Sequence, residues 1–208
     1  MKGVNILFDF GNVLIDLDIP KTTRMLEELV ADDVEEARRE IEELVKKYET
    51  GKISTELFIN GILKFCRNEV QAKDVIDAWN AMLIGVPARR IEWLYEMKKH
   101  HRMAILSNTN SLHLENVYKG LEKKHPGLDF ENEFFEKVFY SHQIGLRKPE
   151  KECFEYVMKE LGWKPEATIF IDDVEENVEA ASSLGLTGIN LIPELPVEDL
   201  IKPGSLVP

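Results

Sequence analysis

Three short apolar segments of the chain end in polar side chains that are able to do chemistry on a charged ligand. A carboxylate can attack a phosphoryl group and form an aspartyl-phosphate, and small polar groups beside it can hold phosphate oxygens. Paired carboxylates also supply the oxygen ligands that Mg²⁺ prefers. The polar groups at the three segment ends are Asp9, Ser107 with Asn108, and Asp172 with Asp173.

The loop after the first apolar segment contains the candidate nucleophile, Asp9. Gly11 lets the backbone approach a ligand closely, and the backbone NH groups of a turn at Gly11 and Asn12 can bind an anion. The alternative is an ordinary turn with a capping Asp at the end of a strand. The loop alone favours neither interpretation.

Two further segments contain candidate phosphate-binding groups. Ser107 and Asn108 precede a predicted helix, where small polar side chains suit phosphate oxygens but also serve as ordinary N-caps. Pro149 restricts Lys148 to an extended conformation just before the next helix. A lysine at this point can neutralise phosphate and nucleophile together, and Arg147 beside it adds positive charge. The alternative is a solvated surface lysine.

The acidic pair Asp172-Asp173 follows a predicted buried strand, where carboxylates are costly unless a cation neutralises them. Mg²⁺ uses one or two carboxylates and keeps several waters, so Asp9 and Asp173 are the candidate ligands. Asn177 follows Asp173 by one helical turn and is expected to hydrogen-bond the ligand shell. The alternative is an N-capping pair followed by a solvated acidic turn, which the helix dipole favours.

The elements that must position these groups alternate between strands and helices after a long helical block. Such alternation predicts an α/β fold, a Rossmann-like parallel sheet with helices on both faces, and ligands bind beyond the carboxyl ends of its strands. The helical block is too long for a crossover helix, so we expect a small helical cap that closes over the site. The predicted core is residues 1–18 and 86–208, and the predicted cap is residues 19–85. The predicted strands are residues 4–9, 103–106, 135–140, 168–171 and 188–191; the predicted helices of the core are residues 88–101, 111–123, 149–161 and 175–184.

The composition limits the partners. Lys and Arg number 26 against 38 Asp and Glu, and the resulting net charge of −12 argues against nucleic acid and anionic membranes as partners. Cys66 and Cys153 lack metal-site spacing and are expected to be free. No signal segment or membrane-spanning run is evident, so a cytoplasmic location is expected. The composition leaves the oligomeric state open.

Together, the four polar segments resemble the motifs of the haloacid dehalogenase (HAD) superfamily, and the helical insertion after the first strand resembles a C1-type cap. The resemblance extends over most of the chain. The amino-acid sequences of the motifs are similar to those of bacterial sugar-phosphate phosphatases, including the α-D-glucose-1-phosphate phosphatase type. The segments that carry the resemblance are residues 8–14, 106–110, 145–150 and 171–177.

The resemblance implies a role for each matched position. Asp9 would be the nucleophile and a magnesium ligand, with the backbone carbonyl of Gly11 and the carboxylate of Asp173 as further ligands. Asp172 would support this shell or bind through water, and Lys148 would steady the nucleophile and the phosphate. Ser107 and Asn108 would hold phosphate oxygens, and Asp16 would lie at the hinge into the cap.

One position departs from the superfamily pattern. Most phosphatases of the superfamily carry a second Asp two residues after the nucleophile, which protonates the leaving group and then activates water. This chain has Gly11 there, and loss of a general acid–base typically costs about 10²–10⁴-fold in rate. The sugar-phosphate branch also uses Gly at this position. The sequence therefore predicts a phosphatase rather than a phosphomutase, with its proton donor unidentified.

Three functions remain as hypotheses from the sequence. The first is a magnesium-dependent phosphatase acting on a small soluble phosphate monoester, with a sugar phosphate expected. The second is a 2-haloacid dehalogenase, in which Asp9 would attack a carbon atom. The acidic pair would then have no role in the reaction. The third is a non-catalytic binding or regulatory protein with the same fold, which Gly11 favours and the presence of Asp9, Lys148 and Asp173 disfavours.

Overall fold

A five-stranded parallel sheet forms the centre of the protein. The structure is a computed structural model that describes residues 3–192 and 195–204. In chain order its strands are β1 (Asn5–Phe8), β2 (Asp16–Leu17), β3 (Leu83–Gly85), β4 (Arg102–Ser107), β5 (Lys137–Tyr140), β6 (Thr168–Asp172) and β7 (Thr187–Asn190). The sheet has the order β5-β4-β1-β6-β7, and β2 and β3 form a separate antiparallel pair.

The central strand explains why the sheet is covered on both faces. Ile6 and Phe8 of β1 point into one apolar cluster, whereas Leu7 points into another. Successive side chains of a strand face opposite sides, so a continuous apolar run requires a covering layer on each side. Helices supply both layers, as the sequence predicted.

The helices divide between the two faces of the sheet and the segment between β2 and β3. Helices α5 and α6 contribute to the cluster around Phe8, and α9 and α10 contribute to the cluster around Leu7. The helices in chain order are α1 (Ile19–Leu29), α2 (Val34–Glu49), α3 (Thr55–Leu63), α4 (Ala72–Asn80), α5 (Ala88–His100), α6 (Ser111–Lys124), α7 (Phe130–Phe134), α8 (Ser141–Ile144), α9 (Lys151–Leu161), α10 (Glu175–Ser183) and α11 (Val197–Leu200).

Some predicted boundaries were wrong for identifiable reasons. The predicted strand 135–140 begins only at Lys137, because a short helix, α7, precedes it and Phe135 packs into the core. The predicted helix 149–161 begins at Lys151, because Glu150 has an extended backbone. The antiparallel pair β2–β3 was not predicted, since its strands span only two and three residues, too few to show a period.

Helices α1 to α4 build their own apolar cluster within the predicted cap segment. Its buried members include Leu26, Ile41, Phe58 and Trp79. A separate cluster is what a segment that moves against the core requires. The division into a core of residues 1–18 and 86–208 and a cap of residues 19–85 remains a prediction.

The C-terminal segment packs against α5. The indole nitrogen of Trp93 donates to the carbonyl of Ile201 at 2.7 Å, and Val197 and Ile201 are buried. Residues 193–194 and 205–208 lie outside the described residues. Cys66 and Cys153 are free, which confirms that prediction. In the described ranges, every helix is too short or too polar to cross a membrane.

The loop after α2 touches the core at Gly51. This residue has a positive φ of 67°, and a Cβ built on it would lie 2.3 Å from the carbonyl oxygen of His142 in α8. A side chain at this point would both strain the backbone and overlap a carbonyl group that cannot easily move. Glycine therefore permits the close contact between the predicted cap and the core.

We expect Gly51→Ala to destabilise the protein more than a matched control, Gly127→Ala. Gly127 has a similar φ of 78°, but a Cβ there would have no neighbour within 4 Å. Both variants incur the left-handed backbone cost of about 1–2 kcal/mol, and Gly51→Ala adds an overpacking cost of about 1–3 kcal/mol. Urea denaturation measures the difference, and equal losses in the two variants would contradict the close contact.

Candidate active site

The polar segment ends converge at one edge of the sheet. Strand β1 pairs in parallel with β4 on one side and with β6 on the other. Their carboxyl ends therefore meet, and this brings together Asp9, which follows β1, Ser107 at the end of β4, and Asp172 at the end of β6. This is the edge at which parallel α/β sheets bind ligands.

Lys148 joins two of these strand ends. Its Nζ lies 2.5 Å from Oδ1 of Asp9 and 2.6 Å from Oδ2 of Asp172. The Lys148 side chain is only 2% exposed, so the alternative of a solvated surface lysine is wrong. The buried ammonium group lies between two carboxylates and partly neutralises their negative charge, as expected at a binding site and not at a solvated surface.

The charges at this contact shift one another's pKa values. Burial alone would lower the pKa of Lys148, but the carboxylates of Asp9 and Asp172 raise it, so the ammonium keeps its proton. Burial raises the pKa of Asp9 to about 7, against the opposing effect of Lys148. A cation beside Asp9 would favour its carboxylate form, which is the form able to attack phosphorus.

Three carboxylates form a cluster that suits a hard cation. Asp9, Asp172 and Asp173 each offer an oxygen, and these oxygens lie within 4.8 Å of one another. Burial raises the pKa of Asp173, against the hydrogen bond from Asn12, and the negative charge of Asp172 raises it further. Oxygen donors with unbalanced negative charge are what Mg²⁺ binds, so the residues fit this ion.

Amide side chains orient the carboxylates. Nδ2 of Asn177 lies 3.1 Å from both carboxylate oxygens of Asp172, and Oδ1 of Asp172 also accepts from the backbone NH of Val174 at 2.8 Å. Nδ2 of Asn12 donates to Oδ2 of Asp173 at 2.8 Å. Asn177 therefore orients Asp172, and its predicted support of a metal-ligand shell stays a prediction. Helix capping, the alternative interpretation of the acidic pair, would explain only the contact between Asp172 and the backbone NH of Val174.

Asn108 holds the loop that carries Lys148. Its Oδ1 accepts from the backbone NH of Lys148, and its Nδ2 donates to the backbone carbonyl of Lys148, both at 2.9 Å. The sequence predicted contacts from Asn108 to phosphate oxygens. In the structure this amide positions Lys148, because it ties together the two strand-end loops, and its contact with phosphate stays a prediction.

Asn12 and Gly11 give the Asp9 loop its shape. Asn12 has a positive φ of 53°, a conformation that Asn tolerates better than most residues, and its bond to Asp173 holds it there. A Cβ at Gly11 would lie 2.9 Å from Cδ1 of Leu17. The loop therefore fits tightly around Gly11. Since glycine has no side chain, this position offers no group that could donate a proton.

A cavity of about 550 Å³ opens from this edge of the sheet toward α1 and α2. Its walls are mostly apolar. We call the part next to the Asp9 loop the polar end; its lining groups are Gly11, Ser107, Asn108, Thr109 and Arg147, with Glu49 of α2 beside Arg147. The polar end meets the Asp9 loop, so a ligand that fills the cavity can place one polar group at Asp9.

Two predicted supporting residues lie beside the site. Nη2 of Arg147 is 3.5 Å from Oε2 of Glu49, so its positive charge is shared with a carboxylate of α2 and is not free for phosphate alone. Oδ1 of Asp16 accepts from Nη1 of Arg90 at 2.7 Å. Asp16 lies in β2, where the chain enters the helical segment, and its place at a hinge stays a prediction.

The sequence did not identify several residues of the site. Glu49 lies at the end of an acidic amphipathic helix and was indistinguishable from its solvated Glu neighbours. The hydroxyl of Ser141 accepts from the backbone NH of Thr109 at 2.9 Å and shapes the loop after β4. Neither residue carries a motif, and only the packing of α2 and α8 against the core reveals them.

The model of one family, the haloacid dehalogenase-like hydrolases, matches residues 5–185. The chain belongs to the haloacid dehalogenase-like hydrolases. The match includes Asp9, Lys148 and the Asp172-Asp173 pair, the groups that the structure brings together. The predicted resemblance to the HAD superfamily is confirmed, and the chain is a HAD-like hydrolase rather than a non-catalytic relative.

Relatives of this HAD-like hydrolase include enzymes named as phosphatases. D-ribitol-5-phosphate phosphatase from Bacteroides thetaiotaomicron is 27% identical over 183 residues, which are 87% of this chain and 88% of the relative. Glyceraldehyde 3-phosphate phosphatase from Methanocaldococcus jannaschii is 24% identical over 194 residues, which are 92% of this chain and 75% of the relative.

A solved structure of a HAD family enzyme from Bacteroides thetaiotaomicron is also similar to this HAD-like hydrolase. It contains magnesium and inorganic phosphate. The TM-score is 0.82 at 28% sequence identity, and the likeness covers 96% of this chain and all of the other. The predicted fold class, a Rossmann-like parallel sheet with helices on both faces and a helical segment, is confirmed.

Proposed function

We propose that this HAD-like hydrolase is a magnesium-dependent phosphatase that hydrolyses a small phosphate monoester through an aspartyl-phosphate on Asp9. The observation that carries the proposal is Lys148, buried between the carboxylates of Asp9 and Asp172, beside a third carboxylate at Asp173. A haloacid dehalogenase acting on carbon has no use for this surplus of negative charge. The named relatives, which are phosphatases, support the same choice.

The chain's own groups account for the first chemical step. Asp9 projects from the end of a rigid central strand, and its carboxylate attacks the phosphorus in line with the ester bond. Lys148 faces both Asp9 and the position of the incoming phosphate, so it offsets charge while the new bond forms. Water then attacks the phosphorus of the aspartyl-phosphate, which restores Asp9 and releases inorganic phosphate.

The carboxylate cluster is the proposed magnesium site. Asp9 and Asp173 would hold the ion with the backbone carbonyl of Gly11, and Asp172 would support them. A bound Mg²⁺ supplies positive charge that stabilises the transferring phosphoryl group. The similar enzyme that was solved with magnesium and inorganic phosphate supports this assignment.

Phosphate oxygens would be held at the polar end of the cavity. Ser107 is buried there, and the backbone NH groups of the loop at Gly11 and Asn12 are near the carboxylates. Asn108 retains one amide hydrogen for an additional contact, because its Nδ2 has two and the Lys148 carbonyl takes one.

The alcohol part of the ester would occupy the cavity beneath α1 and α2. We propose a sugar or polyol phosphate, which the named substrates of the relatives support. Residues 19–85 would act as a cap that closes over this alcohol. The free cysteines suit a reducing compartment such as the cytoplasm, and the net charge of −12 disfavours nucleic acid as a partner.

Removal of divalent cations is expected to abolish hydrolysis of p-nitrophenyl phosphate, and added Mg²⁺ is expected to restore it. Asp173→Asn should raise the Mg²⁺ concentration for half-maximal rate by about 10–100-fold, since a ligating charge is lost. Phosphate release at a series of Mg²⁺ concentrations measures both effects.

A matched control for Asp173→Asn is Asp33→Asn. Asp33 is an exposed N-cap whose Oδ1 accepts from the backbone NH of Glu36, and Asn serves this role equally well. Its Mg²⁺ dependence should equal that of the wild type. Full turnover in the presence of a chelator, or chloride release from 2-chloropropionate without metal, would overturn the proposed function in favour of the dehalogenase.

A further inference from the structure

The Asp9 loop lacks a proton donor for the departing alcohol. Gly11 stands where a side chain would face the cavity, and an alkoxide leaves slowly without protonation. A positioned general acid contributes about 10²–10⁴-fold to such a step. If the proposed phosphatase function holds, on which this inference rests, another group at the cavity must supply that proton.

Seven titratable side chains line the cavity in the described part of the chain. They are Glu27, Arg38, Glu42, Lys46, Glu49, His113 and Arg147. Glu27 is paired with Arg38 at 2.5 Å. Arginine does not release its proton in proteins, and Lys46 is exposed and paired with Glu43 at 2.7 Å. Glu42, Glu49 and His113 remain.

His113 is unsuited to donate a proton. Burial lowers its pKa to about 4, so the ring is neutral near pH 7. Its Nε2 lies 3.1 Å from the carbonyl of Trp79, and its Nδ1 lies 3.2 Å from Nδ2 of Asn110. Both ring nitrogens are therefore occupied by structural hydrogen bonds.

Glu49 is the carboxyl group at the polar end of the cavity. It is the last residue of α2, and its neighbour Tyr48 anchors this end of the helix to the core through a 2.8 Å hydrogen bond to Oγ of Ser111. Glu42 lies seven residues earlier, about 10 Å farther along the helix axis, and is exposed. Position alone therefore selects Glu49 over Glu42.

The carboxyl group of Glu49 is only partly paired with a neighbouring cation. Its side chain is 15% exposed, and its closest cation is Arg147 at 3.5 Å, a long contact for an ion pair. Nε of Arg147 is buried without a hydrogen-bond partner. A carboxyl and a guanidinium that leave each other partly unsatisfied at the end of a cavity can both bind a ligand: the guanidinium donates hydrogen bonds, and the carboxyl group donates when protonated and accepts when ionised.

The burial of Glu49 also shifts its carboxyl group toward the protonated form. Burial raises the pKa of its carboxyl group, against the opposing charges of Arg147 and Lys148. The negative end of the α2 dipole further disfavours a charge at the last residue of the helix. Once the proton has left, Arg147 stabilises the carboxylate that remains, which a group working alternately as acid and base requires.

We propose that Glu49 is the catalytic acid and base of this hydrolase, supplied by α2 in place of the group that Gly11 lacks. In the first step Asp9 bonds to phosphorus, the ester P–O bond breaks with its electron pair on the alcohol oxygen, and the Glu49 carboxyl proton moves to that oxygen. In the second step water attacks phosphorus, Glu49 takes a water proton, and the electron pair of the broken P–O bond returns to Asp9. Glu49 ends protonated, as it began.

The test compares two leaving groups in wild type and Glu49→Gln. p-Nitrophenolate departs without protonation, whereas the alkoxide of a sugar or polyol phosphate needs a proton. The first step is isolated as alcohol release in a single turnover with enzyme in excess, because the second step is common to both substrates. Glu49→Gln should therefore retain the first-step rate constant for p-nitrophenyl phosphate within about 3-fold and lose about 10²–10⁴-fold in this rate constant for the best alkyl phosphate from a panel. Glu43→Gln is the matched control, because Glu43 lies on the same helix, is 58% exposed and pairs with Lys46.

Each outcome has a distinct meaning. Equal losses of this first-step rate constant for both substrates would assign Glu49 to closure of the cap through Arg147. No loss for either substrate would show that the Glu49–Arg147 pair does not affect the rate, and either result overturns the proposal. If Glu49→Gln does not fold, Glu49→Asp keeps the acid on a shorter side chain and should show the same selective loss for the alkyl phosphate, to a smaller degree. A wild-type enzyme without turnover on any phosphate ester would instead refute the proposed function itself.

Discussion

Asp9→Asn is expected to reduce phosphatase turnover by about 10⁴-fold or more while the protein stays folded. The amide cannot attack phosphorus, so the aspartyl-phosphate does not form. The fold should survive because Asn has the same shape as Asp and Lys148 keeps its second carboxylate partner, Asp172, at 2.6 Å. Phosphate release from p-nitrophenyl phosphate at saturating Mg²⁺ measures the loss.

Asp18→Asn provides the comparison for Asp9→Asn. Asp18 precedes α1, and its Oδ1 accepts from the backbone NH of Lys21 at 3.1 Å, a capping role that Asn can take over. Its turnover should match that of the wild type. Retained turnover in a folded Asp9→Asn protein would remove Asp9 as the nucleophile and with it the proposed mechanism.

Lys148→Met is expected to abolish activity and to lower the free energy of unfolding by about 3–5 kcal/mol. Methionine fills a similar volume but leaves Asp9 and Asp172 facing each other without a cation. Asp172 is fully buried and Asp9 is 8% exposed, so water cannot replace the lost ammonium. Urea denaturation measures the loss of stability, and p-nitrophenyl phosphate measures the loss of turnover.

Mg²⁺ should restore part of the stability of Lys148→Met, because a cation at the three carboxylates neutralises the same charges. The increase in unfolding free energy with Mg²⁺ should therefore be larger in the variant than in the wild type. Lys151→Met, an exposed substitution three residues away, should change stability by no more than about 0.5 kcal/mol. A Lys148→Met protein as stable as Lys151→Met would contradict the electrostatic account of the site.

Much of the fold was predictable because buried parallel strands have a strong local signature. The runs that became β1, β4 and β6 are apolar on both faces, and each ends in polar residues within one or two positions of the prediction. The short pair β2–β3 had no such signature. Its two strands lie more than 60 residues apart in the chain and form only because the helical segment leaves and rejoins the core at one place.

The roles of individual polar residues were less predictable than their location. Asn108 was expected to bind phosphate, and the sequence did not show that its side chain also holds the backbone of Lys148. Arg147 was expected to add positive charge, but Glu49 shares that charge. An amide or a guanidinium has several donors, and which partner each one finds depends on the neighbouring loops rather than on its own segment.

The sequence by itself determined the groups at the strand ends, because a parallel sheet brings consecutive carboxyl ends to one edge whatever the loops between them do. Asp9, Lys148 and the acidic pair follow from that rule and from the order of motifs. Only the tertiary structure decided which residues of the helical segment lie opposite these groups across the cavity. The position of Glu49 depends on how α2 packs on the core through Tyr48 and Gly51, a long-range contact that no local pattern records. The candidate nucleophile could therefore be predicted from the amino-acid sequence, whereas the proposed proton donor could not.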